Sequence, residues 1–150
     1  ICLITILCIT VALAGPVAAK TTFIGIGTGG TISGVGRFLK EQNPNVRIIA
    51  VEPAERHHCL SGLKRITGLP DEHFPSILDR NLLDDVVSVT DDQAYRAGIE
   101  LARREGIMAG PTTGAVLHAA LHSGVADSGR AVIISADSAA KYVSSYSDYL

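Results

Sequence analysis

Apolar residues are arranged along the chain in short runs that alternate with stretches of helical periodicity. The runs predict strands at residues 21–27, 46–53, 86–89 and 130–137. Between the first two strands, Pro44 ends a helix that is indicated by apolar residues at helical spacing: Ile32, Val35, Phe38 and Leu39. A strand, a helix and a strand within about 30 residues form a βαβ unit, so the pattern predicts an α/β domain of three layers, with a parallel sheet between helices.

The second half of the chain continues this alternation with two further helices. Thr90 and Gln93 have the spacing of a capping box, which predicts a helix from about residue 91 to residue 104. The sequence "GPTTG" at residues 110–114 interrupts the pattern before another helix, predicted to begin near Ala115. One threonine of this interruption is expected to cap the helix, and the other is expected to point into the cleft at the strand ends.

Residues 53–85 show no clear periodicity and are interrupted by prolines. Long irregular segments lie on the surface and often carry function, so we expect a functional loop here and not core. His57 and His58 lie in this segment. We interpret them as a solvated pair, with contact to a substrate carboxylate as the alternative.

Composition bounds the class of protein. With 150 residues, of which 47% are hydrophobic and 19% charged, the chain is long enough to bury one globular core. The net charge is −2 and no basic stripe runs along the chain, which argues against a nucleic-acid partner. Three cysteines without C-x-x-C spacing argue against a disulfide framework, so we expect a reducing compartment, the cytoplasm.

Residues 1–19 carry no charge and are long enough to be considered as a membrane anchor or an export segment. Pro16 interrupts the run and no basic residue precedes it, so we prefer to interpret it as the start of a chain cut from a longer one. We therefore divide the chain into a hydrophobic N-terminal segment, residues 1–19, and an α/β domain, residues 20–150. Membrane association by the first segment stays open.

The clearest indication of a binding site is the glycine-rich stretch "GIGTGGTISGVG" at residues 25–36, which follows a predicted strand and begins a predicted helix. At a helix N-terminus, unpaired backbone N–H groups and the helix dipole favour an anion, and glycine lets the main chain approach that anion closely. The hydroxyls of Thr28 and Thr31 add further donors. We expect residues 27–31, called the glycine loop below, to bind a phosphate group.

The same glycines also fit a dinucleotide-binding fold. Gly25, Gly27 and Gly30 match G-x-G-x-x-G, and Glu52 ends the next strand, about where such folds place the acid that binds ribose. This alternative predicts a nucleotide-binding module for NAD, anchored to a membrane by residues 1–19. It assigns no role to "GPTTG".

Two segments of the chain resemble the same family. "GTGGTISGVGRFLKE", followed by "IIAVEP", is similar to the segment around the phosphate loop of cysteine synthases and cystathionine β-synthases, fold type II enzymes that use pyridoxal 5'-phosphate. "EGIMAGPTTGAVLHAAL" resembles the second glycine- and hydroxyl-rich loop of that family and the helix after it. The resemblance extends from Phe23 to Tyr142 and implies half of a fold type II pyridoxal-phosphate enzyme.

The resemblance implies roles for particular residues. The cofactor phosphate would be held by the residues of the glycine loop: Gly27, Thr28, Gly29, Gly30 and Thr31. Thr112 stands where the family places the hydroxyl that meets the pyridine nitrogen, and Gly68 corresponds to a glycine that lines the substrate side. Ala139 and Ala140 replace the Gly-Glu of the family's last motif.

The resemblance also implies a reaction, β-elimination and β-replacement on serine or an O-activated serine, with a thiol or sulfide as second substrate, as in cysteine biosynthesis. A homodimer is compatible with it. The family's Schiff-base lysine lies in a Ser-x-Lys-Asp context, which the lysines of this chain lack: Lys20, Lys40, Lys64 and Lys141. We therefore assign no catalytic residue and expect the C-terminal portion of such a transferase or lyase, inactive alone, with a degenerate, non-catalytic relative as the alternative.

Other polar residues receive structural interpretations. His118 and His122 lie four residues apart on a predicted helix, but no third ligand accompanies them, so we interpret them as surface histidines and not as a metal site. The acidic pairs Asp84-Asp85 and Asp91-Asp92 are interpreted as turn and cap residues. Candidates for the cofactor edge remain at the end of the last strand: Ser135, Asp137 and Ser138.

Overall fold

The fold is built on a parallel five-stranded sheet. In the computed structural model, which describes residues 5–7, 20–124 and 131–150, the strands are β1 (Thr5–Leu7), β2 (Thr21–Gly25), β3 (Arg47–Pro53), β4 (Asp85–Val89) and β5 (Ala131–Ile134). Their order across the sheet is β1-β5-β2-β3-β4, and each neighbouring pair is parallel. The strands predicted from the apolar runs, and their parallel arrangement, are confirmed.

The strand β1 belongs to the hydrophobic N-terminal segment and pairs with β5, with Thr5 opposite Val132. The rest of that segment, residues 1–4 and 8–19, lies outside the described residues. Within the part of the chain that the structure describes, no helix is both long enough and apolar enough to cross a membrane. The division of the chain at residue 20 stays a prediction.

Helices cover both faces of the sheet and form the predicted three layers. The helices are α1 (Gly30–Gln42), α2 (Asp91–Glu105), α3 (Pro111–His122) and the short α4 (Val143–Tyr146). Neighbouring side chains of β2 point to opposite faces, so Phe23 packs in the core beneath α2 and α3, whereas Ile24 packs in the core beneath α1. Because β2 pairs in parallel with both β3 and β5, the carboxyl ends of these three strands lie at one edge of the sheet, beside the starts of α1 and α3.

The helix α1 turns one of its apolar residues to solvent. Ile32 is buried, and Val35 and Leu39 pack against the same core, but Phe38 is 59% exposed. Gly36 lies on the buried side, where an added Cβ would be 3.6 Å from Ile48. Phe38 does not share the apolar face because it lies about 100° around the helix from Leu39, away from the side that Ile32 turns to the core.

The irregular segment at residues 53–85 contributes to the core, contrary to the expectation from its sequence. It includes the 3₁₀ turns Asp71–His73 and Arg80–Leu82. Its buried apolar side chains join both cores of the sheet: Leu60, Leu63, Ile66 and Leu78. The expectation was wrong because the tertiary fold collects apolar residues whose irregular spacing gives no periodic signal.

The starts of α2 and α3 are determined in different ways. The helix α2 begins with the predicted capping box, in which the side chains of Thr90 and Gln93 each accept the other residue's backbone N–H. The helix α3 begins at Pro111 and not near Ala115 as predicted, and its N-cap residue Gly110 supplies no side-chain hydrogen bond. It starts earlier because proline is favoured in a first turn and because a side chain distant in sequence caps it.

Candidate functional site

The glycine loop connects the carboxyl end of β2 to the N-terminus of α1. Ile26 donates its N–H to the carbonyl oxygen of Val51 at 2.9 Å, which keeps the loop at the strand ends. Gly29 is the N-cap of α1 in the left-handed conformation, with φ of +92°. Among the described residues, the N–H groups of residues 27–31 have no hydrogen-bond acceptor. Unpaired amides at the start of a 13-residue helix suit an anion.

Glycine is required in this loop for steric reasons. A Cβ on Gly27 would lie 2.7 Å from the carbonyl oxygen of Gly62, and a Cβ on Gly29 would lie 2.6 Å from the Cβ of Leu78. Thr28, by contrast, is exposed. Gly62 and Leu78 of the irregular segment therefore pack against the glycine loop.

Gly62 and Leu78 are contacts of the site that sequence reasoning missed. Both lie in residues 53–85, which the sequence marks only as an irregular segment. The Ser-Gly pair at residues 61–62 is a general turn signal and does not by itself indicate a contact with a distant loop. Only the path of the chain in three dimensions brings these residues to the site.

Thr112 lies at the same edge of the sheet as the glycine loop. Its Cγ2 methyl group is 3.3 Å from the position of a Cβ on Gly25, and its Oγ1 is 2.6 Å from the position of a Cβ on Gly62. Thr112 is 5% exposed, and its hydroxyl has no hydrogen-bond partner among the residues that the structure describes. The hydroxyl oxygen is not among the buried side-chain atoms that lack a partner, so it is reachable from solvent and is suited to a ligand or a water molecule.

Thr113, the neighbour of Thr112, is bound to protein groups. Its hydroxyl donates to Asp137 Oδ1 at 2.7 Å and lies 3.1 Å from the hydroxyl oxygen of Ser135. Ser135 and Asp137, two of the polar candidates after the last strand, thus hold the start of α3. This geometry agrees with the choice of Thr112 as the inward-facing threonine, and the contact of Thr112 with a cofactor stays a prediction.

Glu52 is a fully buried carboxylate with three hydrogen bonds. Its Oε2 accepts the N–H groups of Ile66 at 2.7 Å and Thr67 at 2.9 Å, and its Oε1 accepts the hydroxyl of Ser88 at 2.9 Å. Burial by itself raises the pKa of Glu52, but the hydrogen bonds from Thr67, Ile66 and Ser88 outweigh it and hold the pKa below its ordinary value. Glu52 therefore fastens the irregular segment to β3 and is not available to bind ribose.

Replacing Glu52 with glutamine is expected to lower the free energy of unfolding by about 2 kcal/mol at neutral pH, because hydrogen bonds to a charged group are stronger than those to a neutral one. Since the folded pKa is depressed, this stabilisation is present above the unfolded pKa of about 4.3 and is lost as the pH falls through the folded pKa. Urea unfolding of both proteins from neutral to acidic pH measures the difference, which should shrink below about pH 4.

The control for this prediction is Glu41→Gln, which removes the same charge from an exposed position of α1. We expect it to change the free energy of unfolding by less than about 0.5 kcal/mol. A Glu52→Gln difference that stays constant down to acidic pH would contradict a role for the charge.

The histidine pairs do not form a metal centre in the described part of the chain. The rings of His118 and His122 stack with their centroids 4.1 Å apart, and burial lowers the pKa of His118, with His122 adding to the effect. His57 is exposed and His58 is half-buried. Among the described residues, no group of three or more histidine, cysteine, aspartate or glutamate side chains is placed to hold a metal ion.

The acidic pairs make structural contacts, as their interpretation requires. Asp84 accepts the N–H of Ile48 at 2.7 Å, and Asp91 accepts the N–H of Cys59 at 2.6 Å. Gly68 has φ of +79° and no atom within 4 Å of its Cβ position. It follows residues that Glu52 fixes, and its assignment to the substrate side stays a prediction.

The fold and the site define a class, an α/β protein in which, among the described residues, the amides at a helix N-terminus and a threonine hydroxyl at the same sheet edge have no hydrogen-bond partner. Within that class, the family model described as pyridoxal-phosphate dependent enzyme matches residues 9–137, and this chain belongs to that family. The cofactor of the family is pyridoxal 5'-phosphate. The resemblance to part of a fold type II enzyme is confirmed, and the membrane-anchored dinucleotide-binding alternative is not supported.

Curated relatives come from the two predicted groups of enzymes. The chain is 37% identical over 131 residues to cystathionine β-synthase from Apis mellifera, covering 81% of this chain and 26% of that protein. It is 40% identical over 101 residues to a cysteine synthase from Staphylococcus aureus, covering 65% of this chain and 32% of that protein. The chain thus spans between a quarter and a third of the length of these relatives, consistent with the predicted portion of an enzyme.

Solved structures of related proteins share the fold. A hydrogen sulfide-producing enzyme from Fusobacterium nucleatum matches with a TM-score of 0.75 and 35% identity, over 83% of this chain and 44% of that one. O-ureido-L-serine synthase matches with a TM-score of 0.74 and 29% identity, over 84% of this chain and 42% of that one. The fold prediction of half a fold type II enzyme is therefore confirmed.

Proposed function

We propose that this chain is the cofactor-binding, C-terminal portion of a pyridoxal-phosphate-dependent enzyme that catalyses β-elimination and β-replacement, as cysteine synthases and cystathionine β-synthases do. The observation that carries the proposal is that two sets of groups without a partner among the described residues lie at one sheet edge, the amides of the glycine loop and the hydroxyl of Thr112. The names of the relatives and of the solved structures support the reaction class.

The residues at this edge fit pyridoxal phosphate. The amides of the glycine loop, with the hydroxyls of Thr28 and Thr31, would hold the phosphate, and Gly27, Gly29 and Gly30 leave the main chain accessible to it. Thr112 would form a hydrogen bond with the pyridine nitrogen. When bound, the cofactor supplies an electron sink for bond breaking at the substrate. A neutral hydroxyl at the ring nitrogen tempers that sink, because it does not stabilise a positive charge as a carboxylate would.

We assign the substrates by chemistry. Serine or an O-activated serine would donate the carbon skeleton, and a thiol or sulfide would add to it, which places the reaction in amino-acid biosynthesis. The names O-ureido-L-serine synthase and hydrogen sulfide-producing enzyme, which belong to structural neighbours, support a serine-type substrate and sulfur chemistry. Gly68 would line the substrate side. A homodimer and a cytoplasmic location complete the proposal, the latter from the cysteine pattern.

The lysines of the chain limit what these residues can do alone. None of them has the Ser-x-Lys-Asp context in which the family carries its Schiff-base lysine. The glycine loop and Thr112 bind and orient the cofactor, whereas the covalent anchor is a separate requirement of the chemistry. We therefore propose that the glycine loop and Thr112 hold the cofactor through non-covalent contacts. β-Replacement additionally requires a Schiff-base lysine, which neither of them supplies.

The variant Thr112→Val is expected to weaken the binding of pyridoxine 5'-phosphate about tenfold, the value of one hydrogen bond to a ligand. This probe has the ring nitrogen and the phosphate of the cofactor, but it lacks the aldehyde and cannot react with surface lysines. Isothermal titration calorimetry measures its Kd. Thr112→Ser, which keeps the hydroxyl, should bind like the wild type.

The matched control is Thr22→Val, which makes the same substitution at another buried threonine whose hydroxyl has no partner among the described residues. Thr22 lies in β2, on the α1 side of the sheet, so its loss should leave the Kd unchanged. A wild-type chain that does not bind the probe would overturn the proposed function. Equal binding by Thr112→Val and the wild type would overturn the role of Thr112 alone.

A further inference from the structure

One carboxylate holds the first turn of α3. Asp137 Oδ2 accepts the N–H of Thr112 at 2.9 Å, and Oδ1 accepts the N–H of Thr113 at 2.9 Å and its hydroxyl at 2.7 Å. Asp137 lies 25 residues after Thr112, beyond the end of β5. Three donors of one helical turn thus converge on a side chain that belongs to another element.

The start of α3 has no side-chain cap of its own. Its N-cap residue Gly110 donates its N–H to the backbone carbonyl oxygen of Asp137 at 3.1 Å. The carboxylate of Asp137 also occupies the space that a Cβ at residue 110 would need, which accounts for the glycine there. Backbone and side chain of one residue therefore join the end of β5 to the start of α3.

The junction between β5 and α3 connects Thr112 to the glycine loop by way of the sheet. The strand β5 pairs directly with β2, which leads into the glycine loop. Asp137 holds the backbone of Thr112 from the β5 side, while the side chain of Thr112 faces Gly62 and Gly25. A shift of the first turn of α3 would move the hydroxyl of Thr112 away from that position.

We infer that Asp137 is a positioning residue that holds the hydroxyl of Thr112 at the separation from the glycine loop that the cofactor ring and its phosphate require. The inference rests on the proposed function. Asp137 acts on the ligand through Thr112, because both of its carboxylate oxygens are bound to groups of α3. Its charge also lies at the positive end of the α3 dipole, which strengthens the attachment.

A double-mutant cycle tests this inference with the single variants Asp137→Asn and Thr112→Val and their combination. The probe is pyridoxine 5'-phosphate, and its Kd is measured by calorimetry at a temperature at which circular dichroism shows every variant to be folded. The asparagine side chain keeps the size of the aspartate, but its amide offers one acceptor oxygen where the carboxylate offers two. We expect Asp137→Asn to weaken binding about fivefold to tenfold in the wild-type background.

The effect of Asp137→Asn on the Kd is compared in the wild type and in Thr112→Val, because this comparison distinguishes positioning of the Thr112 hydroxyl from general stabilisation of the fold. If Asp137 acts through Thr112, adding Asp137→Asn to Thr112→Val weakens binding by less than about twofold further. The same loss in both backgrounds would show a general structural effect and overturn the inference. Wild-type affinity in the Asp137→Asn single variant would also overturn it. Absence of probe binding to the wild type would instead overturn the proposed function, and the inference with it.

Asp84→Asn is the matched control for the loss of a structural carboxylate. Asp84 accepts the N–H of Ile48 near the start of β3, at the edge of the sheet opposite to the glycine loop. It should lower the Tm and leave the Kd for the probe unchanged. If Asp137→Asn does not fold, Asp137→Ser replaces it in the cycle, since serine is small and retains one acceptor oxygen. The expected coupling with Thr112→Val is the same.

Discussion

Replacing Gly114 with alanine is expected to lower the free energy of unfolding by about 3 kcal/mol, because the added methyl group overpacks a close contact between two helices. Gly114 lies in α3 against α2, where its Cβ would overlap the carbonyl oxygen of Ala94 and lie 3.1 Å from the backbone nitrogen of Gly98. Both obstacles are backbone atoms, so no side-chain rotation relieves the clash and the helices must separate.

Chemical denaturation of the wild type and the variant measures this effect. The matched control is Gly34→Ala, which makes the same change in the exposed part of α1, where no described atom from outside the helix backbone lies within 4 Å of the Cβ position. Alanine is the better helix former, so Gly34→Ala should stabilise the protein by about 0.5–1 kcal/mol. The two substitutions should therefore have opposite signs, and a stabilising Gly114→Ala would contradict the helix contact described above.

Gly29→Ala is expected to weaken the binding of pyridoxine 5'-phosphate at least about tenfold and to cost about 2 kcal/mol of stability, from left-handed strain and a steric clash together. Gly29 has φ of +92°, and its Cβ would lie 2.6 Å from the Cβ and 2.9 Å from the Cα of Leu78. The loop must move to accommodate the methyl group, and this movement displaces the amides that we propose bind the phosphate. Calorimetry with the probe measures the loss of binding.

Gly106→Ala separates the two contributions of the Gly29 substitution. Gly106 ends α2 with φ of +71°, but apart from its chain neighbours no atom of the described residues lies within 4 Å of its Cβ position. Its replacement carries the left-handed strain of about 1 kcal/mol without the clash and should leave probe binding unchanged. Wild-type affinity in Gly29→Ala would refute the assignment of the glycine loop to the phosphate, whatever its effect on stability.

Local signals account for the parts of the fold that were predicted. The apolar runs located β2, β3 and β5 because strands inside a covered parallel sheet are buried along most of their length. They located the less buried edge strand β4 because three of its five residues are valines. The capping box of Thr90 and Gln93 located the start of α2, because both partners lie within one turn of the same helix. The family motifs around the glycine loop and Thr112 could be recognised because each is a continuous stretch of sequence.

The start of α3 shows where local signals end. The sequence placed it near Ala115, but the helix begins at Pro111, because Asp137 caps the first turn from 25 residues away. Glu52 shows the same limit. The pattern fitted a ribose-binding acid, whereas the folded chain brings the N–H groups of Ile66 and Thr67 to its carboxylate.

The sequence by itself determined the strand and helix alternation, the glycine loop, the family and the absence of a Ser-x-Lys-Asp context, because each depends on residues close together along the chain. Only the tertiary structure decided that Gly62 and Leu78 contact the glycine loop and that the irregular segment enters the core. It also decided that, among the described residues, the hydroxyl of Thr113 has hydrogen-bond partners and that of Thr112 has none. These features depend on contacts between distant residues. Packing selects such contacts by shape and by hydrogen-bond satisfaction, and neither property leaves a periodic trace in the sequence.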